Sequence, residues 1–128
     1  TDTPKRPLSP HLQIYTPQMT SMLSILHRIT GFSLSFGLIL FALWLIAAAY
    51  DTELYYSVLD FASGFIGIVM LIGWSFSFYY HLANGIRHLI WDTGRMLTID
   101  NATKGGFAVL GFTLSATIAT WLYLAMEL

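Results

Sequence analysis

Three long stretches of the chain contain no charged residue. They run from Ile29 to Tyr50, from Phe61 to Ile86 and from Gly105 to Met126. A helix that crosses a bilayer needs roughly 20 predominantly apolar residues. With the α-helical rise per residue, the three stretches are about 33 to 39 Å long, which is enough to cross the apolar layer. The pattern predicts an all-α membrane protein with transmembrane helices near residues 21–50, 61–90 and 105–126.

The overall composition points the same way. The 128 residues are 55% hydrophobic and only 10% charged, and the mean hydropathy is +0.63. A soluble domain usually contains about 25% charged residues. A soluble chain of this length could not bury three helices that are apolar on all sides. We therefore expect one transmembrane domain that comprises residues 1–128.

Charge is distributed unequally between the two sides of the predicted spans. All basic residues fall before the first helix, in its first turns, or around the second connection: Lys5, Arg6, Arg28, Arg87, Arg95 and Lys104. The first connection contains acidic residues and no basic one. Because basic residues concentrate on the inner side of membranes, we expect an inner N-terminal segment at 1–20, an outer loop at 51–60 and an inner loop at 91–104.

Two further features exclude whole classes of function. The chain contains no cysteine, so it cannot supply thiolate ligands to zinc or to an iron–sulfur cluster, and it forms no disulfide. Its formal net charge is −1, which gives no reason to expect nucleic acid as a partner.

Small residues recur every four positions in two of the predicted helices. Gly111, Ser115 and Ala119 share a face of the last helix, and Ser63 and Gly67 share a face of the second. Small residues at this spacing let membrane helices approach closely. They are equally consistent with packing inside this chain and with contact to another subunit. Three spans make a poor closed bundle, which favours packing against a second membrane subunit.

The first cluster of polar residues within a span is "SILHRITG", residues 24–31. Ser24, His27 and Arg28 are three and four residues apart and share one helix face. A hydroxyl and a fixed cation suit a quinone, whose ring oxygens accept hydrogen bonds and develop negative charge during reduction. Alternatively, Ser24 hydrogen-bonds its own helix backbone.

The second cluster is "HLANGIRH", residues 81–88. His81 and His88 are about 700° apart around a helix, so they lie on nearly the same face, with His81 roughly 10 Å deeper. A neutral imidazole in an apolar bundle is suited to bind haem iron, with shallower cations near the haem propionates. A structural hydrogen bond and a proton path are the alternatives for His81. For Arg28 and Arg87, long side chains that simply reach toward the inner surface are an equally good interpretation.

Three motifs resemble a known family. "RPLSPHLQIY" at 6–15, "SILHRITG" at 24–31 and "HLANGIRHLIWDTG" at 81–94 are similar to the cytochrome b-type large membrane-anchor subunits of succinate dehydrogenase, respiratory complex II. The three-span layout and the length agree, so the resemblance covers nearly the whole chain. The first motif is similar to the mitochondrial and alphaproteobacterial branch.

The resemblance implies roles for individual residues. His81 corresponds to an axial ligand of haem b, whose other axial ligand comes from the small membrane-anchor subunit. Ser24 and Arg28 correspond to positions that line the ubiquinone pocket. His27, Arg28 and His88 correspond to positions near the haem propionates.

The resemblance also implies partners and a location. In the family, a flavoprotein with FAD oxidises succinate, and an iron–sulfur subunit passes the electrons to the membrane anchor. The absence of cysteine here agrees with clusters on other chains. The implied location is the bacterial inner membrane, with the mitochondrial inner membrane as the alternative.

Other functions remain open at this point. A haem-free structural anchor and the anchor of a fumarate reductase carry a similar pattern. A self-contained cytochrome would need two facing deep histidines, whereas His27 and His88 are shallow. A proton or solute carrier would need an intramembrane carboxylate, and the three uncharged stretches contain none.

Overall fold

Four α-helices make up the part of the chain that the computed structural model describes, namely residues 19–94 and 99–127, with side chains over 21–94 and 103–127. The helices are α1 (Met19–Tyr50), α2 (Thr52–Ser63), α3 (Phe65–Asp92) and α4 (Ile99–Glu127). The predicted all-α fold is confirmed.

Three of these helices are long and apolar enough to cross a membrane. The spans are Ser21–Tyr50 in α1, Phe65–Asp92 in α3 and Thr103–Glu127 in α4. They confirm the three predicted transmembrane helices. The second span begins at Phe65 rather than near residue 61, because Gly64 interrupts the helical pattern with extended backbone (φ −78°, ψ 174°).

The connection predicted as an outer loop at 51–60 is instead helix α2. Asp51 caps its N-terminus, and the Asp51 carboxylate accepts a hydrogen bond from the backbone N–H of Leu54 at 3.1 Å. Glu53 in the first turn adds negative charge where the helix dipole favours it. The charge pattern of this connection predicted its side of the membrane but not its secondary structure. The capping residue Asp51 and the apolar positions after it were the sequence signals for a helix.

The inner connection is shorter than the predicted loop at 91–104. Helix α3 continues to Asp92 and α4 begins at Ile99. Gly94 follows α3 with φ +81°, a left-handed conformation that favours glycine after a helix. Residues 1–18 and 95–98 lie outside the described residues, and with them Lys5, Arg6 and Arg95. The sidedness of the chain, and its division into inner and outer segments, therefore stays a prediction.

Helix α3 holds the bundle together, because it packs against both α1 and α4. Leu23 of α1, Tyr80 of α3 and Val109 of α4 form the buried apolar core. Gly37 of α1 provides the close approach to α3, since the Trp74 indole occupies the space that a Cβ at Gly37 would fill. Most apolar side chains of α1 face away from the rest of the chain, as expected for a helix in contact with lipid or another subunit.

The two predicted small-residue faces have different surroundings. Gly67 is buried, and a Cβ there would overlap the Phe61 carbonyl at the end of α2. Ser63 ends α2 and Gly67 lies in α3, with extended backbone at Gly64 between them. The predicted shared helix face is therefore wrong, and Gly67 alone serves packing within the chain. A Cβ at Gly111 would meet nothing within 4 Å, and Ser115 and Ala119 are exposed. The α4 face is thus left uncovered by the described part of the chain.

Replacement of Gly67 tests the junction between α2 and α3. We expect Gly67→Ala to destabilise the protein by about 1–3 kcal/mol, because the new methyl group overlaps backbone that cannot easily move. Gly73→Ala is the matched control in the same helix, since a Cβ at Gly73 meets no atom within 4 Å. It should be neutral or slightly stabilising. Thermal unfolding of the purified complex in detergent measures both, and equal melting temperatures for the two variants would contradict the described junction.

Candidate functional site

Helix α1 presents its polar cluster in two directions. Ser24 and Arg28 border an open cavity of about 320 Å³, together with Ser21 and Ile25. Arg28 is exposed and Ser24 is half-buried. His27 lies between them in sequence but contacts α3 instead. The structure thus separates the three residues that the sequence assigned to one face into a cavity pair and a histidine that points into the bundle.

His81 of α3 lies against α1 and is held there by one ring nitrogen. Its Nδ1 is 3.2 Å from the carbonyl oxygen of His27 and 3.3 Å from Oγ1 of Thr30. A carbonyl oxygen only accepts hydrogen bonds, so this contact assigns the proton to Nδ1. Nε2 makes no hydrogen bond with any described residue, and in this tautomer it keeps its lone pair.

Gly31 makes room for the His81 ring. A Cβ at Gly31 would lie 3.0 Å from Cε1 of His81, which is closer than side-chain atoms normally pack. The glycine was included in the predicted motif because it continues the polar face one turn deeper. Its structural role is to let the imidazole lie directly on the α1 backbone.

The three histidines of the two motifs come together at this contact. The rings of His27 and His81 are stacked with centroids 3.9 Å apart and planes 11° from parallel. The His27 and His88 rings are 5.7 Å apart, and His88 meets the edge of Trp91 at 5.2 Å. The sequence placed His81 and His88 on one face of a helix, and the structure adds His27 from the neighbouring helix.

Arg87 lies on a different side of α3 from the histidines. It is buried, its Nη1 donates a hydrogen bond to Oδ1 of Asn84 at 2.8 Å, and its guanidinium carbon lies 4.2 Å from the centre of the Trp91 ring. The interpretation of Arg87 as a residue that extends toward the inner surface is therefore wrong. For Arg28, which is exposed, that interpretation stays an open prediction.

Sequence reasoning missed Tyr80 and Thr30. Tyr80 is completely buried, and its hydroxyl donates to the carbonyl oxygen of Leu23 at 2.6 Å. This bond connects α3 to α1 immediately before Ser24. The signal for Thr30 was its position three residues after His27, on the same helix face, but threonine in an apolar helix usually bonds only its own backbone.

No set of three ligand side chains converges on a bare metal ion among the described residues. A haem iron in a membrane bundle has a smaller requirement, because one chain needs to supply only a single neutral imidazole nitrogen. His81 meets this requirement, because its Nδ1 is tied to α1 while its Nε2 is available. A ligating histidine typically donates its other N–H to a backbone carbonyl in this way. The residues present fit a haem.

The family model for the succinate dehydrogenase/fumarate reductase transmembrane subunit matches residues 2–120. The chain belongs to this family. The resemblance found in the motifs is confirmed.

Similar proteins extend from bacteria to mitochondria. The cytochrome b556 subunit of succinate dehydrogenase from Rickettsia prowazekii is 44% identical over 117 residues, which cover 91% of each chain. The Paracoccus denitrificans protein of the same name is 35% identical over 90% of this chain and 88% of its own. The mitochondrial succinate dehydrogenase cytochrome B subunit of Schizosaccharomyces pombe is 38% identical over 85% of this chain and 63% of its own. With the three apolar helices, these relatives identify a multi-pass inner-membrane protein.

Loss of the Tyr80 hydroxyl tests the connection between α1 and α3. We expect Tyr80→Phe to lower the free energy of unfolding by about 1 kcal/mol, because the variant keeps the ring but loses a buried hydrogen bond. Tyr123→Phe is the control, since Tyr123 is exposed and bonds to no described residue. Thermal unfolding of the purified complex measures the difference. A Tyr80→Phe variant as stable as the control would show that the bond contributes nothing to stability.

Proposed function

We propose that this chain is the haem b-containing membrane anchor of a succinate:ubiquinone oxidoreductase. The family and the names of its relatives support the assignment to succinate dehydrogenase. The observation that carries the haem assignment is the His81 imidazole, which is fixed to α1 through Nδ1 while Nε2 makes no hydrogen bond with any described residue. One-electron oxidation and reduction is the chemistry that a haem supplies when it is bound.

A second protein ligand to the iron would come from another chain, the small membrane-anchor subunit. His27 is the nearest histidine to His81, but the two rings lie face to face with centroids 3.9 Å apart. Rings stacked this closely leave no space for a porphyrin between them. His27 is therefore not the opposite ligand, and together with His88 it would provide donors for the two propionates. Arg28 borders the separate cavity with Ser24, so its expected place near the propionates stays a prediction.

Ser24 and Arg28 form this chain's part of the ubiquinone pocket. Both border the open cavity at the end of α1, and Arg28 is exposed there without an acidic partner among the described residues. The Ser24 hydroxyl donates a hydrogen bond to a quinone carbonyl oxygen. The Arg28 guanidinium stabilises the negative charge that develops on the ring oxygens during reduction. The cavity is open because other subunits complete it.

The chain acts within a larger complex rather than alone. The flavoprotein subunit carries FAD and oxidises succinate, and the iron–sulfur subunit passes the electrons to the quinone. This chain has no cysteine to bind a cluster, which agrees with clusters on another subunit. It binds the iron–sulfur subunit at the membrane and shapes the site where ubiquinone is reduced.

Removal of the proposed iron ligand tests the haem assignment. We expect His81→Ala complex to lose its b-type signal in the reduced-minus-oxidised optical spectrum, because the variant removes the imidazole that is fixed through Nδ1 and keeps Nε2 free. Leu89→Ala, on an exposed position of the same helix, should keep the full signal. An unchanged haem content in His81→Ala would contradict the assignment. Wild-type complex without haem and with full quinone reductase activity would instead identify a structural anchor.

The quinone site is tested by two activities measured on the same preparation. We expect Arg28→Ala to lower succinate–ubiquinone activity by at least about 10-fold, because a charge that stabilises the reduced quinone is removed. Ser24→Ala should lower it less, since a neutral hydrogen bond is lost. Succinate oxidation with an artificial dye should be unchanged in both variants. Ile29→Ala, at an exposed neighbouring position, is the control, and equal loss of both activities would indicate misassembly instead.

A further inference from the structure

Thr30 is a buried hydroxyl at the contact between α1 and the His81 ring. Only 2% of Thr30 is exposed. Its Oγ1 donates to the carbonyl oxygen of His27 at 2.9 Å and lies 3.3 Å from Nδ1 of His81. The hydroxyl thus contacts both the carbonyl and the ring nitrogen that the carbonyl holds. Nothing in the function proposed so far uses this residue.

The arrangement of the hydroxyl proton determines what Thr30 does. Because this proton points to the His27 carbonyl, the oxygen lone pairs of Thr30 are directed away from it and are available to accept. The N–H of His81 Nδ1 therefore has two acceptors, the His27 carbonyl and the Thr30 oxygen, at nearly equal distances. If Nδ1 were unprotonated, its lone pair would face the lone pairs of the His27 carbonyl, which is unfavourable.

We propose that Thr30 is a positioning residue that supplies a second acceptor to the N–H at Nδ1 of His81 and thereby tunes the electron affinity of the iron bound at Nε2. The inference rests on the proposed haem ligation by His81. A ligand histidine that donates its second N–H to an oxygen acceptor becomes a more basic ligand. A more basic ligand stabilises the oxidised iron relative to the reduced iron, so Thr30 lowers the reduction potential.

The surrounding contacts separate this electronic role from simple packing. The His81 ring is enclosed by Gly31 on one side and by the stacked His27 ring. These contacts do not depend on the Thr30 hydroxyl. Valine has nearly the same shape as threonine, so Thr30→Val removes the acceptor while the ring stays confined by its other neighbours.

The test compares three variants of the intact purified complex. Thr30→Val loses the hydroxyl, Thr30→Ser keeps it, and Thr113→Val is the matched control. Thr113 is also completely buried, and its hydroxyl also bonds its own helix, to the Val109 carbonyl at 2.7 Å, but no contact connects it with a histidine. For each complex we would measure the haem-to-flavin ratio, the haem midpoint potential by redox titration and the low-spin haem signal by electron paramagnetic resonance.

We expect Thr30→Val to shift the midpoint potential to a more positive value and to alter the low-spin signal, with up to about a 10-fold loss in haem affinity. Thr30→Ser and Thr113→Val should keep the wild-type potential and signal. If Thr30→Val does not assemble, Thr30→Ala is measured in its place and should show the same positive shift.

Two results would overturn the inference. One is a wild-type potential and signal in Thr30→Val. The other is an equal shift in Thr30→Val and Thr30→Ser, which would indicate packing and not the hydroxyl. Both results differ from a failure of the proposed function, which would appear as wild-type complex without haem, or as unchanged haem in His81→Ala.

Discussion

The hydrogen bonds that join α3 to the backbone of α1 are the interaction on which the candidate site depends. Nδ1 of His81 bonds the His27 carbonyl, and the Tyr80 hydroxyl bonds the Leu23 carbonyl one turn earlier. Both carbonyls belong to α1 and both donors are consecutive residues of α3. In an apolar environment an unpaired donor is costly. These two bonds therefore determine how α1 and α3 are rotated against each other.

The same rule organises the rest of the interior. Hydroxyl groups in the spans mostly bond the carbonyl of the preceding turn, as Thr113 and Ser75 do. Where two helices meet, the hydroxyls also connect them, as in the bond between Tyr79 and Thr120 at 2.6 Å. These hydroxyls are thereby paired without water, while most apolar side chains of the spans are exposed. The buried apolar core around Leu23, Tyr80 and Val109 is small, whereas a soluble domain buries most of its large apolar side chains.

Some buried polar atoms near the candidate site have no hydrogen-bond partner among the described residues. Nδ1 of His27 and two guanidinium nitrogens of Arg87 are buried without an acceptor among the described residues. They lie near the same end of the bundle as His81 and the cavity at Ser24. The small-residue face of α4 is likewise left uncovered by the described part of the chain. A chain that works only in a complex can leave these groups and surfaces for its partners.

Much of this protein follows from the sequence by itself. The three uncharged stretches determine the spans, because a helix needs roughly 20 predominantly apolar residues to cross a bilayer. The spacing within "SILHRITG" and "HLANGIRH" identifies the residues that matter, because polar groups at membrane depth are rarely accidental. The resemblance of these motifs to a family then gave His81, Ser24 and Arg28 their expected roles.

The tertiary structure decided which residues of different helices contact each other, which the periodicity of a single helix cannot predict. It turned His27 toward His81 and left Ser24 and Arg28 at a separate cavity, since a helix face is defined only once a neighbour packs on it. It buried Arg87. The sequence alone did not distinguish a buried arginine from one whose side chain extends toward water. The tertiary structure also brought Thr30 to the nitrogen of His81, a contact between residues 51 positions apart that depends on the rotation of α1 against α3.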